Sequence, residues 1–210
     1  MSDRQRKCTF LRRFVAIVAA IVFILLSGKI AYAAHPNGDD ADSYKQLRNY
    51  EGALVNKPIY DPASKSYFEL LEIKGGVPYG RAVRIARSKI FNGIRGRLAT
   101  IRSKETQHLL DSTLRPDGEA WIGLWMFCSG RVLLWSDGKN FRKGKDFRNW
   151  GPKWHYANSY IPCKSGDKYA GVTLAPVDKA GYVGKGLRWF AIAPSHAVAY
   201  LIIEYPTGGK

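Results

Sequence analysis

The 210-residue sequence lacks the motifs that identify the common classes of enzyme. It has no glycine-rich phosphate-binding loop, and His and Cys do not occur at the spacing of a zinc site. No Ser or Cys stands in a recognisable nucleophile context, and there is no internal repeat or low-complexity tract. The four histidines are far apart in sequence: His35, His108, His155 and His196. We therefore predict that the protein is not an enzyme.

Acidic residues are scarce, with 17 Asp and Glu against 33 Lys and Arg, for a net charge of +16. Beyond residue 33 the chain keeps 27 basic and 16 acidic residues, for a net charge of +11. Such a protein is attracted to acidic polysaccharide, lipid headgroups or nucleic acid, although scattered Lys and Arg can also serve solubility alone. Nucleic acid is the weakest of these partners, because no motif interleaves basic and aromatic residues.

The N-terminus has no apolar run long enough to span a bilayer. Residues 14–26 form an unbroken apolar run of 13 residues, short of the roughly 20 that a membrane-spanning helix needs. Basic residues precede the run, and Ala31 and Ala33 follow it, as in a secretory signal peptide. We predict a signal peptide over residues 1–33, cleavage before Ala34, and a protein that is periplasmic, secreted or at the cell surface. An uncleaved signal anchor is the alternative, and the only predicted link to a membrane.

Three cysteines are present, and only two of them lie beyond the predicted signal peptide. Cys128 and Cys163 are 35 residues apart. In an oxidising compartment an even pair often forms a disulfide, so a Cys128–Cys163 bond is our hypothesis.

Hydrophobic patterning predicts one α+β domain over residues 58–207, after a polar leader or linker at 34–57. Two helices come before most of the strands, which favours an antiparallel sheet over strict strand–helix alternation. Two tryptophan-containing strands are predicted to form a hairpin, and the second ends in Ser136-Asp137-Gly138, a sequence suited to a tight turn. The predicted strands are 66–73, 119–124, 133–135, 169–174, 187–192 and 197–204; the predicted helices are 79–91 and one that Ser103 caps.

The predicted helix at 79–91 is amphipathic. Its apolar positions are Ala82, Ile85, Ala86 and Ile90, and its remaining face is basic: Arg81, Arg84, Arg87 and Lys89. We interpret this basic face as solvated, with contact to an anionic partner as the alternative.

Residues 139–167 follow neither the period of a strand nor that of a helix. They are rich in Gly, Pro, Lys, Asn and aromatic residues. A long irregular loop in a compact domain commonly carries function, so this segment is the first place to expect a ligand.

The order of motifs resembles the C-type lectin-like domain over most of residues 58–207, and it looks most like the bacterial, exported branch. Ala86 stands where many animal members have a disulfide cysteine. The matching segments are the helix with Ala82 and Ala86, residues 96–105 (GRLATIRSKE), 121–124 (WIGL), 134–138 (LWSDG), 149–152 (NWGP), 169–174 (YAGVTL), 188–189 (RW) and 200–206 (YLIIEYP).

The resemblance implies two helices that flank small antiparallel sheets, terminal strands that pair, and a long loop that carries the ligand site. In sugar-binding members the loop holds Ca²⁺ through Glu-Pro-Asn or Gln-Pro-Asp and through Asn and Asp after a tryptophan. Here the triplet is Gly151-Pro152-Lys153, and Phe190 and Ala191 follow Trp189. These residues lack the oxygen ligands that Ca²⁺ needs. We expect no cofactor and no Ca²⁺ at the usual site; the alternative is a different Ca²⁺ site built from Asp146, Asn149, Asn158, Asp167 and Asp178.

These observations predict an exported, non-enzymatic recognition protein that binds a glycan, an acidic polysaccharide or another anionic surface ligand through the long loop. The alternative is a protein-interaction or adhesion module that binds a surface protein and no sugar. Trp150 and Trp189 are expected to pack in the core. The predicted ligand-binding residues are Lys153, Trp154, His155, Tyr156, Tyr160 and Lys164.

Overall fold

The structure is a computed structural model that describes residues 53–142, 144–151, 163, 166–177 and 186–208. The predicted signal peptide lies outside the described residues. The strands are β1 (Ala53–Leu54), β2 (Ile59–Asp61), β3 (Ser66–Val77), β4 (Ile90–Phe91), β5 (Ile94–Arg95), β6 (Arg97–Leu98), β7 (Ala120–Phe127), β8 (Val132–Trp135), β9 (Tyr169–Pro176), β10 (Leu187–Ile192) and β11 (Val198–Pro206). The helices are α1 (Tyr79–Ser88) and α2 (Lys104–Thr113).

Most of the described strands belong to one mixed sheet, whose path runs β1-β3-β11-β7-β9-β10. Strand β2 pairs with β3, β6 pairs with β11, and β8 pairs with β7, while β4 and β5 form a separate hairpin. The predicted α+β class is confirmed, and the strands near the two ends of the domain pair as expected, β3 with β11. Among the described strand pairs, which are otherwise antiparallel, β7 and β11 pair in parallel. These two strands are not joined by a hairpin, so their connection does not impose an antiparallel pair.

Both predicted helices are confirmed, with a shorter first helix. Ser103 caps α2 as predicted, and its side chain accepts a hydrogen bond from the backbone N–H of Thr106. Helix α1 ends at Ser88 rather than near residue 91, because the next segment forms the β4–β5 hairpin, in which Asn92 and Gly93 both have positive φ. An Asn-Gly turn of this kind favours a hairpin over a further helical turn. Within the described ranges no helix is long and apolar enough to cross a bilayer.

Two strand boundaries differ from the prediction. Strand β3 continues past residue 73 to Val77, and the glycines at 75 and 76 take positive φ within it. The sheet also begins before residue 58, because β1 pairs with β3 through Ala53 and Leu54. The side-chain oxygen of Asn56 adds a hydrogen bond from the backbone N–H of Leu70, 2.9 Å long. Pairing of this kind depends on backbone groups, which leave little trace in a hydrophobic pattern.

The sheet is covered on both faces, and β7 is therefore apolar throughout. Trp121 and Trp125 of β7 pack with α1, whereas Ile122 and Leu124 belong to a second core with α2. Alternate residues of a strand point to opposite faces, so a strand between two cores has no polar face. The indole N–H of Trp121 donates to the carbonyl of Val77 at 2.8 Å, which fixes the side chain at the start of α1.

Candidate functional site

The described parts of the long loop are fixed to the sheet at both ends. At its start, the backbone N–H of Phe141 donates to the carbonyl of Leu133 at 2.8 Å. Further along, Gly151 N–H donates to the carbonyl of Trp189, and Trp189 N–H donates to the carbonyl of Asn149. Residues 149–151 therefore lie beside β10 as an additional short strand-like segment. We call this segment, together with Trp189 and the aromatic rings packed around it, the loop base.

Aromatic side chains fill the loop base around Trp189. Its ring centroid lies 5.5 Å from that of Trp150, 5.7 Å from Trp135 and 5.8 Å from Phe147, each in an edge-on arrangement. The indole N–H of Trp189 donates to the side-chain oxygen of Gln107 on α2 at 3.0 Å. Trp150 and Trp189 are buried, which confirms that they pack in the core. The loop base is thus a rigid aromatic support rather than a surface open to a ligand.

The disulfide is a further attachment of the loop. Cys128, just after β7, is bonded to Cys163, with Cα atoms 5.7 Å apart. The backbone N–H of Cys128 also donates to the carbonyl of Lys168 at 3.0 Å. Gly151 is thus attached to β10, and Cys163 is attached to the end of β7.

Arginine side chains engage the carboxylates at the rim of the loop base. Arg102 Nη2 lies 2.7 and 2.8 Å from the two oxygens of Asp137, and its guanidinium carbon lies 5.7 Å from the Trp135 ring centroid. Arg142 donates to Asp146 through its backbone N–H, Nε and Nη2. The backbone N–H of Arg142 is the main cause that lowers the pKa of Asp146, opposed by burial and reinforced by the guanidinium groups of Arg142 and Arg102. Both carboxylates are consequently neutralised by the protein's own cations.

The residues at the usual Ca²⁺ position of the lectin fold do not fit that ion. Phe190 packs its ring against Gly151, where an added Cβ would stand 2.6 Å from Cζ. The side-chain amide of Asn149 donates to the carbonyl of Leu187, and Asp146 already accepts three hydrogen bonds from Arg142. Among the residues that the structure describes, no group of three or more His, Cys, Asp or Glu is arranged to hold a metal. Phe190 thus places a phenyl ring beside Gly151, and a phenyl ring offers no oxygen ligand to Ca²⁺.

Six residues of the long loop are predicted to bind the ligand. Lys153, Trp154, His155, Tyr156, Tyr160 and Lys164 lie outside the described residues. The sequence prediction also missed Arg102 and Arg142 at the rim. The contacts of Arg102 with Asp137 and Trp135 join distant parts of the chain, so the sequence gives no sign of them. Arg142 and Asp146 are only four residues apart, and that spacing of opposite charges was the available signal.

Solved structures with a similar fold provide an independent comparison. The chain resembles the cow C-type carbohydrate-recognition domain of CD23 with a TM-score of 0.51 and 18% sequence identity, over 75% of this chain and 99% of that chain. It resembles human lithostathine with a TM-score of 0.50 and 15% identity, over 71% of this chain and 88% of that chain. No protein-family model and no curated protein sequence matches the chain. Together with the topology described above, these similarities show that the chain has the C-type lectin-like fold.

Proposed function

We propose that this protein is an exported, non-enzymatic recognition domain that binds a glycan or another anionic surface ligand through its long loop, without Ca²⁺ at the usual lectin position. The observation that carries the proposal is the loop base. It holds the loop through buried aromatic rings and the Cys128–Cys163 bond, and it places Phe190 against Gly151. The fold is also that of a carbohydrate-recognition domain from CD23 that was solved in the presence of the oligosaccharide GlcNAc2Man3.

Within the loop, the proposed contacts lie between positions 153 and 164. Trp154, Tyr156 and Tyr160 offer aromatic rings that stack on the apolar faces of sugars. His155 offers a polar ring, while Lys153 and Lys164 offer charge for a carboxylate or sulfate group. The rim adds further positive charge, because Lys145 and Arg148 are exposed in the same loop.

A glycan array of the purified protein, read with and without EDTA, tests the proposal. We expect binding to acidic glycans that EDTA does not change. Trp154→Ala and Lys153→Ala should each lower the signal by about tenfold, because a stacking or charged contact is commonly worth 1 kcal/mol or more. Lys104→Ala is the matched control, since it removes one exposed lysine from the start of α2.

Other outcomes would decide against the proposal. A signal abolished by EDTA would show that Ca²⁺ is required. Binding to one purified protein that saturates and resists sugar competition would support the alternative, a protein-interaction or adhesion module. Export is tested separately by N-terminal sequencing of protein recovered outside the cytoplasm, which should begin at Ala34 if the predicted signal peptide is cleaved.

A further inference from the structure

A cleft of about 500 Å³ lies on the α1 face of the sheet, and its lining residues are distinct from those of the loop base. The first turn of α1, the first residue of β9 and the turn before β11 form its walls. The residues that line it are Pro78, Gly80, Arg81, Arg84, Tyr169, Pro194 and Ser195. Its neighbours Tyr79 and Ala82 belong to the core on the α1 face, whereas the aromatic rings of the loop base belong to the other core.

The side chains of the cleft are cationic. Arg81 and Arg84 are one helical turn apart on α1 and therefore project from the same side of the helix. Both are half-buried, contrary to the interpretation of this helix face as simply solvated. Among the described residues, Nε of Arg84 is buried without a hydrogen-bond partner. The charge of Arg84 also acts on the hydroxyl of Tyr169, where it opposes the rise in pKa that burial causes.

No carboxylate is among the described residues that line the cleft. Glu119 is near Ser195 of the lining, because its carboxylate oxygen lies 3.5 Å from Nε2 of the next residue, His196. The carboxylate of Glu119 is thus engaged by His196 and does not line the cleft. The first turn of α1 contains no acidic residue, and its cap, Pro78, makes no side-chain hydrogen bond. The positive end of the helix dipole therefore adds to the two guanidinium charges.

The shape of the cleft suits a small ring that carries the anionic group. A Cβ on Gly80 would lie 3.1 Å from the Tyr169 hydroxyl, so glycine allows this hydroxyl to lie against the first turn of α1. Pro78 and Pro194 provide rigid apolar surface, and the hydroxyl groups of Tyr169 and Ser195 can donate hydrogen bonds. The polar and apolar parts of the lining thus meet around one concave surface.

We propose that this cleft is an oxyanion-binding site for a phosphate or sulfate group. Arg84 binds the anion through charge-assisted hydrogen bonds, and Tyr169 donates to one of its oxygens. The charge of Arg81, on the same side of α1, adds to the attraction. The molecule that bears the group rests against the two prolines. The lining residues differ from those of the loop base, so the proposal stands whether or not the loop binds a glycan.

Titration of the ¹⁵N-labelled protein with sodium phosphate or sodium sulfate at constant ionic strength, followed by NMR, tests this site. We expect the amide signals of Gly80 and Ser195 to shift and saturate. Arg84→Gln should weaken binding by about tenfold or more, because it removes a charge-assisted contact. Arg87→Gln is the matched control: it removes one positive charge from the same helix but from outside the cleft, and it should bind as the unmodified protein does.

Tyr169→Phe is a second variant that keeps the ring and its contacts with Tyr79 and Trp125. It should weaken binding severalfold without changing the dispersion of the spectrum, even if Arg84→Gln disturbs the fold. A sulfated disaccharide and its unsulfated counterpart distinguish a sugar ester from the free ion. Shifts that stay linear in anion concentration, shifts confined to other residues, or equal affinity in the Arg84→Gln and Arg87→Gln proteins would each overturn the proposal.

Discussion

Two buried carboxylates of the sheet differ in how their charge is satisfied. Glu204 on β11 accepts hydrogen bonds from the Arg97 guanidinium, from Ser66 Oγ, and from both the backbone and the hydroxyl of Thr100. Glu69 on β3 accepts a 2.7 Å hydrogen bond from the hydroxyl of Tyr205. Burial raises the pKa of Glu69, and the hydrogen bond from Tyr205 and the charge of Lys89 only partly oppose this rise. A negative charge on Glu69 therefore lowers the stability of the fold. The charge of Glu204 is compensated by its own hydrogen-bond partners.

We predict that Glu69→Gln stabilises the protein above the pH at which Glu69 ionises. A raised folded-state pKa means that the folded protein binds more protons, so the stability due to Glu69 is complete below its reference pKa of 4.5 and declines as pH rises through the folded-state pKa. Gln keeps an oxygen for the Tyr205 hydroxyl and carries no charge. Urea unfolding of both proteins from pH 4 to pH 8 should show a difference in unfolding free energy that grows with pH and then levels off.

The control is Glu72→Gln, which removes one negative charge from an exposed position on the same strand. Both substitutions make the net charge of this basic protein more positive by one, so the control shows the effect of that change alone. A Glu69→Gln protein whose free energy of unfolding runs parallel to that of the unmodified protein at every pH would contradict the prediction.

Two elements are in tight backbone contact where β7 passes the end of β6. A methyl carbon at Gly123 would lie 2.5 Å from Ser136 Oγ and closer still to the carbonyl oxygen of Leu98. The backbone N–H of Gly123 donates to the carbonyl of Ala99 at 2.8 Å, and Ser136 Oγ donates to Leu98 at 2.6 Å. Both hydrogen bonds would have to lengthen to admit a side chain, and the hairpin would move away from the sheet.

We predict that Gly123→Ala lowers the free energy of unfolding by at least about 3 kcal/mol or prevents folding, because backbone atoms cannot make room as a side chain can. Gly118→Ala is the control, since its Cβ would meet Tyr200 at an ordinary 3.7 Å. It should change stability by no more than about 0.5 kcal/mol. Chemical denaturation measures both, and similar stability of the two variants would show that the β6–β7 contact is not tight.

At the scale of the whole molecule, one covalent bond joins the end of β7 to the far side of the long loop. The Cys128–Cys163 bond closes a segment of 35 residues that includes β8 and most of the loop. Such a bond stabilises a protein chiefly by restricting the unfolded chain.

We predict that the double variant Cys128→Ala with Cys163→Ala loses about 2–4 kcal/mol of unfolding free energy. Dithiothreitol should lower the stability of the unmodified protein by a similar amount and leave the double variant unchanged. Free thiols in the denatured, unreduced protein, or equal stability of the two proteins, would show that the bond does not form.

Several features followed from the sequence, because they depend on short-range effects. Ser103 caps α2 by reaching a backbone N–H three residues away, and the Ser136-Asp137-Gly138 turn needs only its own dihedral angles and side chains. Strand β7 was evident from its continuous apolar run. The resemblance to C-type lectin-like domains then set the order of these elements, and the structural similarities agree with it.

Contacts between distant segments were decided by the tertiary structure alone. The parallel pairing of β7 with β11, the ring of Phe190 on Gly151 and the meeting of Arg84 with Tyr169 each join residues far apart in the chain. The predicted ligand residues of the loop, from Lys153 to Lys164, remain predictions. Local propensity and hydrophobic period act over a few residues, whereas these contacts arise from how both faces of one sheet are covered, and that depends on the whole chain at once.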